Sequence, residues 1–130
     1  MIFIDSDCIV DFLKGKKEAI EAMLANNKNL ATTEINVFEV LFGIHLKKEI
    51  PQKELEAARR FFDSVNIIPF DEGCGRIAAE ISSKLSKKGE EIDQNDCFVA
   101  SIILNKGYNA IITRNKKHYS RIDNLKIISY

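Results

Sequence analysis

The strongest constraint on the fold is an alternation. Short apolar runs of strand length are separated by longer stretches with helical spacing. Ile2-Phe3-Ile4 reads as a buried strand ending at Asp5, and Cys8 to Leu13 as a helix stopped by Gly15. Lys17 to Ala25 is a second helical stretch, closed by the Asn-rich segment Asn26–Asn29. Leu30-Ala31-Thr32 is a strand, and Thr33 offers an N-cap for a helix running to about Lys48. Gln52 to Val65 is amphipathic, Asn66 to Phe70 a strand, and Asp71 caps a helix to about Lys88. A helix from Gln94 to Asn105 and strands at Ala110–Thr113 and Lys126–Ser129 complete the chain. Such an order predicts an α/β protein with three layers, a central, mainly parallel sheet flanked by helices. In that architecture the working site lies beyond the carboxyl ends of the strands, where strand order reverses. The residues leaving strands at that edge are Asp5-Ser6, Thr32-Thr33 and Thr113-Arg114-Asn115.

Three acids stand near this edge. Asp5 follows a buried strand directly; capping the next helix would account for it, but Ser6 or Asp7 can do the same. On a helical wheel Ile35, Phe38, Phe42 and Leu46 form one apolar face with Glu39 at its edge and Gly43 one turn on. A carboxylate there needs a partner, a salt bridge or a polar cleft. Asp96 opens a helix whose stripe continues through Val99, Ala100 and Ile103, so it points along the buried face. The helix dipole favours an acid there, with Asp93 as the alternative cap. Two such charges ~5 Å apart repel by roughly 3 kcal/mol at an effective dielectric of 20. A cation would relieve that repulsion. All-oxygen ligands with no accompanying His or Cys favour Mg²⁺ or Mn²⁺ over zinc, and phosphodiester hydrolysis is the chemistry that suits them.

Composition narrows the partners. The 130 residues amount to one domain, and the 19 basic and 19 acidic side chains cancel, so the chain as a whole does not attract nucleic acid. A local excess survives in Arg114, Lys116, Lys117, Arg121 and Lys126 against Asp123, which reads either as a solvated turn or as a strip contacting phosphates. No apolar run approaches the ~20 residues of a membrane span. The opening MIFIDSD resembles neither a signal nor a transit peptide, and Cys8, Cys74 and Cys97 lack the pairing of a disulfide or zinc site. A cytoplasmic location and buried, unpaired thiols are therefore expected.

These residues resemble the PIN-domain family, in particular VapC-type toxins. Ile4-Asp5-Ser6 is similar to that family's first motif, and Glu39-Val40-Leu41-Phe42-Gly43 to its E-L-x-x-G segment. Asp96 to Ser101 looks like D-x-x-I-A-A, and Thr113-Arg114-Asn115 like T-x-N/D, with Lys117-His118-Tyr119 through Leu125 resembling the closing stretch. Each motif is short, but the ordered set spans residues 1–130 as a single PIN domain. The resemblance implies a Mg²⁺- or Mn²⁺-dependent endoribonuclease acting on an RNA substrate, a homodimer, and a cognate VapB-type antitoxin. Carried over by position, Asp5, Glu39 and Asp96 would be the catalytic and metal-binding acids, with Ser6 and Thr113 supporting them.

The sequence also departs from the pattern. Asn115 stands at the fourth acidic position, where it would be a weaker, neutral ligand, and His118 lies three residues later where an acid is often found. Asp93, one turn before Asp96, would compensate unless it serves as the helix cap. His118 and His45 are read as surface or boundary residues. Two other readings remain: a degenerate PIN fold that binds RNA or a partner without cutting, and a haloacid-dehalogenase-type phosphatase suggested by Asp5-Ser6-Asp7. The adjacent Phe61 and Phe62 fit either core packing or a dimer or antitoxin contact.

Overall fold

The computed structural model describes residues 1–26 and 29–130, so the middle of the Asn26–Asn29 breaker lies outside the described residues. Among these residues five strands form one parallel sheet: β1 (Ile2–Ile4), β2 (Leu30–Thr33), β3 (Asn66–Ile68), β4 (Ala110–Ile112) and β5 (Lys126–Ile128). Their order is β3-β2-β1-β4-β5. The chain therefore builds outward from β1 to one side, then returns to place β4 on the other. The order reverses between β1 and β4, which is where Asp5 and Thr113 leave the sheet.

Among the described residues, seven helices cover the sheet: α1 (Ser6–Leu13), α2 (Lys17–Ala25), α3 (Glu34–His45), α4 (Gln52–Ser64), α5 (Cys74–Lys87), α6 (Gln94–Asn105) and α7 (Lys116–Tyr119). Alternation along the strands sends neighbouring residues to opposite faces. Ile4 and Ile112 join Cys8, Ile9, Val40, Leu55 and Phe61 on one side, while Phe3 and Ile111 join Val99, Ala100, Ile103 and Tyr119 on the other. Burying each such large side chain contributes about 1.5–3 kcal/mol. All three cysteines are buried and free, as expected. Among the described residues no helix is long and apolar enough to cross a membrane.

Several local expectations change. The short helix α7 was not foreseen. Asp71 does not cap α5: that helix starts at Cys74 behind Gly73 (φ 97°), and the Asp71 carboxylate instead meets Lys106 at 3.4 Å and Asn105. The largest correction concerns α3. Phe38, Phe42 and Leu46, placed on the buried face by the helical wheel, are 57, 51 and 67% exposed. The buried row is Asn36, Val40 and Ile44. A capping box sets the helix's roll: Thr33 Oγ1 accepts from the Asn36 N–H, and Asn36 Oδ1 accepts from the Thr33 N–H and hydroxyl. Asn36 then reaches inward to Asp5 and Ser6, which turns the aromatic stripe out.

Phe61 and Phe62 are core residues, not an exposed contact. Truncating Phe61 to Ala is expected to cost about 3–5 kcal/mol, whereas Phe38→Ala should change stability by only about 0.5 kcal/mol. Urea denaturation of the two variants checks this, and equal losses would contradict the observed roll of α3.

Candidate active site

Asp5 is the N-cap residue of α1, but its side chain makes no capping bond. Its backbone is held by the sheet and helix, with Asp5 N–H donating to Ile112 O and Asp5 O accepting from Ile9 N–H, each at 3.0 Å. The carboxylate, only 5% exposed, is thereby free to turn into the site. Oδ1 accepts from Asn36 Nδ2 at 3.0 Å and from the Tyr119 hydroxyl at 3.2 Å, and Oδ2 accepts from Thr113 Oγ1 at 2.8 Å.

Hydrogen bonds link this carboxylate to the other two acids. The Tyr119 hydroxyl lies 3.2 Å from Asp96 Oδ1 as well as from Asp5, one proton facing two acceptors. Asn36 Nδ2 also donates to Ser6 Oγ (2.9 Å), and Ser6 donates to Glu39 Oε1 (2.7 Å). Asn95 Nδ2 approaches Glu39 Oε2 at 3.4 Å. Glu39 is half-buried at the rim, while Asp96 is buried.

The far side of the cluster is formed by α6 and α7. Asp96 Oδ2 accepts from Asn115 Nδ2 at 3.1 Å and lies 2.8 Å from His118 Nδ1. Asp93 sits at the N-cap of α6, yet its side chain caps nothing. Ligand atoms of Asp93, Asp96 and His118 all lie within 4.8 Å of one another. An imidazole thus stands beside the acids, where the sequence suggested oxygen donors alone. His118 is half-buried against Asp96 because α7 folds its ring back over the start of α6, whereas His45 is exposed as expected.

Neighbouring residues hold the turn after β4. Asp7 Oδ2 accepts from the Arg114 N–H at 3.0 Å, and Thr113 Oγ1 accepts from the Asn115 N–H at 2.9 Å. Arg114 is not simply a free cation: its Nε pairs with the buried Asp11 at 2.9 Å, where Lys16 and the Tyr130 hydroxyl also converge. Burial opposes the Asp11 charge, but those partners together hold its carboxyl below the usual range. Lys116 and Lys117 are exposed.

Electrostatics at the centre run the other way. Burial, with Asp7 and Asp96 nearby, pushes the Asp5 carboxyl up to about 7 despite the Thr113 and backbone hydrogen bonds. Burial also raises Asp7, and burial plus the charges of Asp5, Asp96 and Glu39 keeps Tyr119 a protonated donor. Carboxylates so crowded, joined by a converging imidazole, suit a divalent cation.

The sequence assigned no role to Asn36 or to Tyr119, suggested Asp7 only as a cap or phosphatase acid, and suggested a surface or boundary place for His118. Asn36 was discoverable from Thr33 three residues earlier, a capping-box spacing. Nothing local marks Tyr119, whose hydroxyl acquires its partners only through chain reversal.

A parallel α/β sheet with acids gathered at its switch point defines a class of protein, and the sequence places the chain within it. It belongs to the PIN domain family, which it matches over residues 2–125. It is 31% identical over 105 residues to ribonuclease VapC2 of Rickettsia felis, covering 79% of this chain and 75% of that protein. Ribonuclease VapC3 of Methanocaldococcus jannaschii is 30% identical over 99 residues, 76% of this chain and 94% of the relative. Among solved structures, VapBC2 from Rickettsia felis bound to a promoter DNA fragment superposes with a TM-score of 0.87 at 25% identity, covering 100% of this chain and 99% of that one.

The raised Asp5 carboxyl makes a pH prediction. The folded chain keeps a proton there that the unfolded chain, with an ordinary value of 3.8, gives up. This group's contribution to stability is therefore complete below about pH 4 and is lost as pH rises toward 7. In EDTA, raising the pH from 5 to 7.5 should cost on the order of 2–3 kcal/mol through Asp5. Urea titrations of wild type and Asp5→Asn check it; an unchanged pH slope in the variant would refute the assignment.

Proposed function

We propose that residues 1–130 fold as a single PIN domain that acts as a Mg²⁺- or Mn²⁺-dependent endoribonuclease, the toxin of a toxin–antitoxin pair in the cytoplasm. The observation that carries this reading is the buried acid cluster, with Asp5 and Asp96 sharing one Tyr119 hydroxyl and Glu39 tied to Asp5 through Asn36 and Ser6. Asp5, Glu39 and Asp96 are the catalytic acids and hold the ion, with Asn115 and Asp93 as further ligands. A divalent ion bound there supplies charge neutralisation for phosphate oxygens and a more acidic water.

The chain's own groups do the rest. Asn36, Thr113 and Tyr119 fix the orientation of Asp5, while Ser6 aims Glu39. Tyr119 keeps its proton and so holds Asp5 and Asp96 apart as acceptors rather than adding a further negative charge. Arg114, Lys116 and Lys117 line the exit of β4 and contact RNA phosphates, with Asp11 orienting Arg114. The VapBC2 complex among the structural neighbours supports a VapB-type antitoxin as partner, and the homodimer rests on the family resemblance alone. The exposed Phe38–Phe42 stack, 5.3 Å between ring centroids, with Leu46 one turn on, offers apolar surface for such contacts.

One observation favours a second reading, a PIN protein that binds RNA without cutting: Asn115 donates an amide to Asp96 in place of a further negative charge. Membership in the PIN family, together with Asp7 being taken up by backbone N–H groups, removes the basis for the phosphatase alternative.

Structured RNA incubated with the protein in Mn²⁺ should be cleaved, and EDTA should stop it. Asp5→Asn, Glu39→Gln and Asp96→Asn should each slow cleavage on the order of 100-fold. RNA that is bound but intact in Mn²⁺ would establish the non-cleaving reading instead.

A further inference from the structure

The chemistry of the Asp96 side of the cluster differs from a set of carboxylates alone. His118 Nδ1 faces Asp96 Oδ2 at 2.8 Å, and an Asp93 carboxylate oxygen lies within 4.8 Å of ligand atoms on both. Asp93, exposed at the N-cap of α6, makes no side-chain capping bond, so its carboxylate is not tied up by the helix backbone. The neutral Asn115 amide, 3.1 Å from both Asp96 Oδ2 and His118 Nδ1, adds no charge. Oδ2 and Nδ1 both carry lone pairs, and at this separation an N–H proton or a cation must lie between them.

Mg²⁺ takes oxygen ligands almost exclusively and retains its waters, whereas imidazole suits first-row transition ions. We propose that His118 contributes a nitrogen donor to the divalent-ion site, giving it a mixed oxygen–nitrogen set that favours Mn²⁺ over Mg²⁺. This rests on the reading of the cluster as a metal site and goes further by assigning a ligand and an ion preference. The competing role for His118 is positional, with its N–H orienting Asp96 and no nitrogen reaching the ion.

Pulsed electron paramagnetic resonance of Mn²⁺ added to the full chain separates the two, because a directly bound imidazole couples its ¹⁴N nucleus to the electron spin. The expected result is bound Mn²⁺ with histidine nitrogen coupling that survives His45→Gln, the other histidine being exposed on α3. His118→Asn keeps an N–H donor for Asp96 and should lose the coupling while its circular dichroism stays native. His118→Asp makes the set all-oxygen, and its preference for Mn²⁺ over Mg²⁺ should fall by roughly tenfold or more, the scale on which changes around a metal ligand act. Bound Mn²⁺ without nitrogen coupling, or coupling that persists in His118→Asn, overturns the nitrogen donor and leaves the nuclease reading standing. Mn²⁺ that remains free in solution overturns both.

Discussion

The carboxylate of Asp5 is where the fold and the site depend on one another. It is buried, it lies near Asp7 and Asp96, and its charge is opposed by both circumstances. What keeps it in place is three donors from three separate parts of the chain: Asn36 on α3, Thr113 after β4 and Tyr119 at the end of α7. Each donor in turn holds something else. Asn36 completes the cap of its own helix, Thr113 receives the Asn115 N–H, and Tyr119 spans to Asp96. A buried polar network of this kind is favourable only when its members are satisfied. Among the described residues no buried side-chain polar atom lacks a partner.

The network explains why α3 sits as it does. Judged by hydrophobicity alone, the helix should bury its phenylalanines. Asn36, fully buried, outweighs that preference because leaving its amide or the Asp5 carboxylate unpaired inside the protein costs more than exposing aromatic surface. The aromatic stripe that results is left outside, and the polar face of α3 lines the site. Packing and chemistry are thus settled by the same side chain.

The acids also show how a sheet edge concentrates charge. Parallel strands bring their carboxyl ends to one side, so residues far apart in sequence meet there without any local signal between them. The turn after β4 carries Arg114, which Asp11 and Asp7 fix from α1. Positive and negative groups are therefore sorted within a few residues of one another, the acids inward and Lys116 and Lys117 outward.

The amino-acid order by itself determined the parallel α/β architecture, because short apolar runs alternating with helical periods admit few other arrangements. It also marked Asp5 and Asp96, since an acid that ends a buried strand or starts a buried helical stripe breaks a local rule. The roll of α3, the existence of α7, the place of His118 and the work of Tyr119 were decided only in three dimensions. The final roll of α3, the place of His118 and the work of Tyr119 depend on hydrogen bonds between residues more than twenty positions apart, as in Asn36 to Asp5, His118 to Asp96 or Tyr119 to Asp5. Periodicity reports which face of an element is apolar; which polar atoms must be paired inside is known only once the elements have come together.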